Sequence, residues 1–209
     1  MRDLAPRTLA RLLPTYGRDQ FDLCEDAVQD ALLDAHRQWA AHPRMTHRHG
    51  WSLDEQDRAR WDRALIDEGL ALLDLVTPGA AAGPYLLQTC IAGLHARASG
   101  TESTDWTEIH LLYTLLGHIT ESRNPTITLN RIVAQAMLTG PDSALTMLDE
   151  LAARHPRLAR VDAVRAHLLE RSGRLDEAAA AYRRAVAATV NVAEQHHLRA
   201  RLRRLSGAG

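Results

Sequence analysis

The sequence predicts an all-α fold made of antiparallel helix pairs stacked as a solenoid, and four observations point to helices paired in this way. Apolar residues recur at spacings of three and four, strong β-branched runs are missing, and Pro and Gly fall where helices begin or end. The breaks between successive segments are short, which places consecutive helices side by side and antiparallel.

The elements follow in order. Leu4, Leu9, Leu12 and Leu13 begin a first helix that stops near Pro14 and Gly17. Asp22 and Glu25 form a capping box for a second, which buries Leu23, Val28, Leu32, Ala35 and Trp39 and ends before Pro43. Residues 41–50 (AHPRMTHRHG) lack periodicity and read as a linker. Ser52 and Glu55 cap a long helix through Trp61, Leu65, Ile66, Leu70 and Leu73, closed by Thr77-Pro78-Gly79. Gly83-Pro84 opens the next helix, carrying Tyr85 to Ala98, and Asp105 with Glu108 caps one through Ile119. Asn124-Pro125, Gly140-Pro141 and Pro156 introduce three more, which end near Leu138, Arg154 and Ser172-Gly173. Leu175 to Ala188 and Asn191 to Leu205 complete the set.

The helix pairs repeat. Ala144 and Ala178, Leu148 and Tyr182, and Pro156 and Val190 are all separated by 34 residues. That is the tetratricopeptide period, a helix-turn-helix unit with small residues at close helix contacts. An isolated pair cannot bury its apolar face, so neighbours must stack and a final helix must cap the stack. Residues 191–205, with Arg199, Arg201, Arg203 and Arg204, read as that cap.

Composition narrows the function classes. The 209 residues are 45% hydrophobic, with 25 basic side chains, all of them Arg, against 26 acidic ones and a formal net charge of −1. A pI near 6.8 offers no basic excess for counterion release from nucleic acid, so unaided DNA binding is not expected. Cys24 and Cys90 lie far apart without CxxC spacing, which suggests neither a zinc site nor a disulfide framework and suits a reducing cytoplasm. No apolar run approaches the roughly 20 residues a membrane helix needs. A cytoplasmic protein without membrane contact is the expectation.

Enzyme signatures are absent from the sequence: no GxGxxG, P-loop, GxSxG or HExxH occurs. Asp22, Glu25, Glu55, Asp105 and Glu108 read as helix-start caps rather than catalysts. His42, His47 and His49 lack an adjoining Cys or carboxylate cluster at ligand spacing, so no metal or cofactor is expected. Catalytic residues are therefore assigned to none.

Residues 21–39 contain an acidic pair, a Val-Gln-acidic step and a terminal Trp: Glu25, Asp26, Val28, Gln29, Asp30 and Trp39. This resembles the start of region two of the extracytoplasmic-function sigma factors of RNA polymerase. Downstream, residues 55–70, the run Gly83-Pro84-Tyr85-Leu86-Leu87-Gln88, Thr104-Asp105-Trp106 and Leu129-Asn130-Arg131 resemble the C-terminal extension of an actinobacterial-rich subgroup of that family. The resemblance implies that the 22–39 helix docks on the β′ clamp helices of core polymerase through Asp26, Gln29, Asp30 and Arg37. Between Trp39 and Ser52 there is room for only a dozen or so residues, where the family has the rest of region two and the promoter-reading helix-turn-helix. The chain thus resembles a sigma factor lacking most of region two and all of region four, unable to read promoter DNA alone.

The predicted organisation is a partial region two over 1–50, with two helices and a linker, and a tetratricopeptide-like domain over 51–209. The expected function is a truncated sigma-like factor in transcription initiation or its regulation, whose C-terminal domain is a regulatory or interaction module. The alternative is a freestanding adaptor that receives a peptide or helix in a solenoid groove lined by Gln88, Asn130, Arg131 and Arg165.

Overall fold

A computed structural model describes residues 58–78, 80–121, 123–158 and 160–206. The expected helices of residues 1–40, the linker and the 50/51 boundary lie outside the described residues. Among the described residues there are eight α-helices and no strand. A 3-10 turn, Arg58–Arg60, precedes α1 (Arg63–Val76), α2 (Pro84–Arg97), α3 (Trp106–Ile119), α4 (Pro125–Thr139), α5 (Pro141–Arg154), α6 (Val161–Arg171), α7 (Leu175–Ala188) and α8 (Val192–Ser206).

Local chemistry sets these limits. The helix expected to run from Ser52 through Leu73 starts only at Arg63, because Asp62 is its N-cap: Oδ1 accepts from Leu65 N at 3.2 Å. Asp105 caps α3 by accepting from Glu108 N at 3.0 Å, and Asn124 caps α4 by accepting from Thr126 N at 3.0 Å. Pro84, Pro125 and Pro141 each occupy a first-turn position where a missing N–H costs nothing. Gly140, at φ 90°, ends α4 and begins α5 in one residue, a conformation costly for a side chain bearing Cβ. Pro156 does not lead directly into α6: a turn over His155–Leu158, closed by Leu158 N donating to His155 O at 3.0 Å, lies between α5 and α6, and Arg160 at φ 68° is the N-cap of α6.

The helices form two compact units, divided after Glu121. In the first, α2 packs on both α1 and α3. Its interior holds Leu87 and Leu112, both fully buried, with Leu73, Leu86, Ile91, Ile109 and Leu116. Gly93 permits the close approach of α1: a Cβ there would lie 2.9 Å from Leu73 Cδ2.

In the second unit, α4 packs on α5, α5 on α6, α6 on α7 and α7 on α8, and α4 also touches α6. Contact between α4 and α6, the first helices of successive pairs, is what stacked hairpins require. The repeat seen in the sequence is realised in the burial pattern. Ala144 and Ala178 are both fully enclosed, as are their partners at the next turn, Leu148 and Tyr182. The third pair diverges: Val190, where the preceding unit has Pro156, is 95% exposed.

Candidate functional site

The first unit carries a buried polar cluster at the end of α2. A helix ends with carbonyls that lack intrahelical donors, and cationic side chains satisfy them well. Arg58 does so from the 3-10 turn. Its Nη1 donates to the carbonyls of His95 at 2.9 Å and Ala98 at 3.1 Å, and lies 3.3 Å from Thr104 Oγ1. The Thr104 hydroxyl donates to Gly100 O at 2.9 Å, which leaves its lone pairs for Arg58. Arg63 Nη1 adds a longer bond to Ala96 O at 3.3 Å.

Arg58 is 5% exposed, and its Nε and Nη2 are enclosed without hydrogen-bond partners. The Trp61 ring, 5.4 Å from the guanidinium carbon, offers its π face to the charge. Burial lowers the Arg58 pKa. His95 beside it is edge-on to Trp106, ring centres 5.4 Å apart, while Trp106 Nε1 donates to Thr101 O at 3.0 Å. Burial, and then the charge of Arg58, lower the His95 pKa. The cluster fixes the α2–α3 connection. It lacks the pairing of a nucleophile with a positioned base that covalent catalysis requires. Cys90 is a free thiol buried in the same unit, raised to about 11 by burial and then by Glu108, and so protonated at neutral pH.

Of the predicted contact residues, Asp26, Gln29, Asp30 and Arg37 lie outside the described residues. Gln88 is exposed on α2 in the first unit, while Asn130, Arg131 and Arg165 belong to the second. Asn130 and Arg131 are half-buried on α4. Arg165 on α6 bonds Asp149 on α5, so it ties two helices together as well as lining the surface.

Sequence reasoning missed two arginine roles. In the sequence Arg58 is one residue of the 55–70 stretch and Arg201 one arginine of the capping helix, with no local signal for the bonds they make. Arg201 bonds Glu170 Oε2 from Nη2 at 2.7 Å and from Nε at 3.1 Å. Within the downstream segments quoted above, some residues have architectural roles. Gly83-Pro84 and Asp105 start helices, and Leu129 is in the core.

Among the described residues no group of three or more His, Cys, Asp or Glu is placed to hold a metal ion. No helix among them is long and apolar enough to cross a membrane. No family model and no solved structure matches the chain. An uncharacterized protein of Rhizobium meliloti (strain 1021) is 41% identical over 154 residues, which are 74% of this chain. Those residues are only 36% of that relative, so the chain spans little more than a third of its length.

Proposed function

We propose that the protein acts by binding other proteins, as a sigma-factor-like component of transcription initiation or its regulation. In this reading residues 22–39 dock on the β′ clamp helices of core RNA polymerase, and the helical hairpins form the regulatory or interaction module. The observation that carries it is the ordered run of segments: Glu25, Asp26, Val28, Gln29, Asp30 and Trp39, followed by the four downstream stretches. The reading excludes catalysis and unaided promoter recognition, and a free, buried Cys90 accords with a reducing cytoplasm.

The test is capture of purified core polymerase by the full chain, repeated with Asp26, Gln29 and Asp30 changed to Ala. Capture abolished by the substitutions is expected; absence of capture by the unaltered chain overturns the reading. In vitro transcription is expected to give no promoter-specific start.

A second reading, a freestanding tetratricopeptide-like adaptor, is favoured by the matched burial of Ala144 with Ala178 and Leu148 with Tyr182. Stacked repeats of this type present an extended surface to a peptide or helix. Asn130, Arg131 and Arg165 are its candidate contacts in the second unit. Retained peptide binding by a chain that fails to capture polymerase distinguishes this reading from the first.

A further inference from the structure

The charges of the chain are segregated. Residues 122–209 carry 14 Arg against eight Asp and Glu, a net +6, so the remaining 121 residues carry −7 and the total of −1 averages two opposite parts. Charges act over about 10 Å at 0.1 M salt, so a polyanion meets the local surface rather than the total. Pairing does not consume the excess. Five arginines of the second unit are each matched by one of its carboxylates, from Arg160 with Glu194 to Arg201 with Glu170, and each pair removes equal charges of both signs. Exposed Arg157, Arg171, Arg183, Arg199 and Arg203 make no ion pair among the described residues. Of the unmatched carboxylates, Asp142 and Asp176 belong to the first turns of α5 and α7, where the helix dipole holds them.

α8 ends the stack and carries four Arg against Glu194 alone. Leu198, Leu202 and Leu205 turn one side of it to the core, and Arg201 is held by Glu170. His196, Arg199 and Arg203, spaced three and four residues apart, form an exposed stripe on another side. We propose that this stripe binds the phosphate backbone of duplex nucleic acid without reading its sequence.

Two features select that partner over an acidic protein or a single strand. Among the described residues Val192 is the one large apolar side chain exposed on α8, too few for the anchors at i, i+3, i+4 and i+7 of a docked amphipathic helix. Tyr182, the one Phe, Trp or Tyr of residues 122–209, is buried, so unpaired bases have nothing to stack on. What remains is charge and guanidinium geometry, which suit phosphate. The stripe covers about 10 Å of helix, the length over which a duplex presents about six phosphates. The inference does not rest on polymerase docking through residues 22–39, and its test contains no polymerase.

Fluorescence anisotropy of the full chain with labelled DNA and RNA duplexes of about 20 base pairs, between about 20 and 200 mM salt, tests it. Binding is expected, with affinity falling along a slope of about −3 on logarithmic axes, and the tighter-bound duplex identifies the source of the phosphates. Arg199→Gln with Arg203→Gln is expected to flatten that slope by about 2 and to weaken binding at 50 mM salt by about tenfold or more. Arg199→Lys with Arg203→Lys keeps the charge and is expected to keep the slope, which separates lost charge from lost fold. No binding at the lowest salt, a slope unchanged in the Gln pair, or a slope lost equally in the Lys pair overturns the proposal. Tighter binding at equal ionic strength to single-stranded DNA, to polyglutamate, or to vesicles of phosphatidylserine and phosphatidylcholine overturns the assignment to a duplex.

Discussion

Tyr182 and Arg201 converge on a single carboxylate oxygen. Glu170 Oε2 accepts from the Tyr182 hydroxyl at 2.6 Å and from Arg201 Nη2 at 2.7 Å, so α6, α7 and α8 meet at one acceptor. The Tyr182 side chain is otherwise in the core, and burial followed by the Glu170 carboxylate raises its pKa. In the preceding unit the equivalent position is Leu148, which has no hydroxyl to satisfy. The last repeat therefore differs from its neighbour by a polar tie to the terminal helix. That tie lets α8 close the stack by charge-assisted bonding as well as by Leu198 burial.

Removing the shared acceptor is expected to cost more than removing one donor. Tyr182→Phe loses one hydrogen bond, about 1 kcal/mol. Glu170→Ala removes the acceptor of both donors inside a half-buried site, and about 2–3 kcal/mol is expected. Urea denaturation of the two variants checks the order. Equal losses, or a larger one for Tyr182→Phe, contradict the shared-acceptor account.

Arg58 offers a comparison of side-chain chemistry. All its hydrogen bonds leave from Nη1, while Nε and Nη2 are buried without partners. Lys has three donors on one nitrogen, the number of acceptors at this site. Arg58→Ala, which strips the carbonyls of His95 and Ala98 of their donor, is expected to lose about 2–3 kcal/mol. Arg58→Lys retains most of that stability. The thermal midpoint of each variant, followed by tryptophan fluorescence, decides; matching losses in Lys and Ala variants sink the argument.

The two turn glycines test backbone strain alone, since a Cβ at either meets no atom within 4 Å. Gly140 lies at φ 90° and Gly173 at φ 76°, both in the region L side chains avoid. Gly140→Ala and Gly173→Ala are each expected to cost about 1 kcal/mol. A stabilising effect at either site, as seen when a loop glycine has ordinary φ, contradicts the assigned geometry.

Helix positions were legible in the sequence where local chemistry decides them. α7 runs over Leu175–Ala188 as its periodicity predicts, and Pro84, Asp105, Asn124 and Gly140 mark the boundaries their side chains dictate. The close packing at Ala144 and Ala178 was legible too, because a small residue recurring on helices 34 residues apart is a spacing signal. What was not legible depends on distant pairing. Nothing local tells that Arg58 turns inward to carbonyls about 40 residues away. Arg165 illustrates the same limit at the candidate groove. Its position on a first helix is a periodicity argument, but its bond to Asp149 is a tertiary fact.

His95 makes the first unit sensitive to acid, with a definite sign. Burial and the Arg58 charge hold its folded-state pKa below the ordinary 6.5. The unfolded chain therefore binds the proton more readily, and stability rises with pH across this window. The contribution is full above about 6.5 and is lost as pH falls from there through the lowered folded value. Phe at this position keeps a ring edge-on to Trp106 and gives up no bond at Nδ1, which has none. His95→Phe is thus expected to fold and to flatten the pH dependence of Trp106 unfolding between pH 5 and 7. Denaturant midpoints at pH 5.5 and 7.5 measure this, the other histidines cancelling between variant and parent. A variant that loses as much stability on acidification as the parent shows that His95 is not the group responsible.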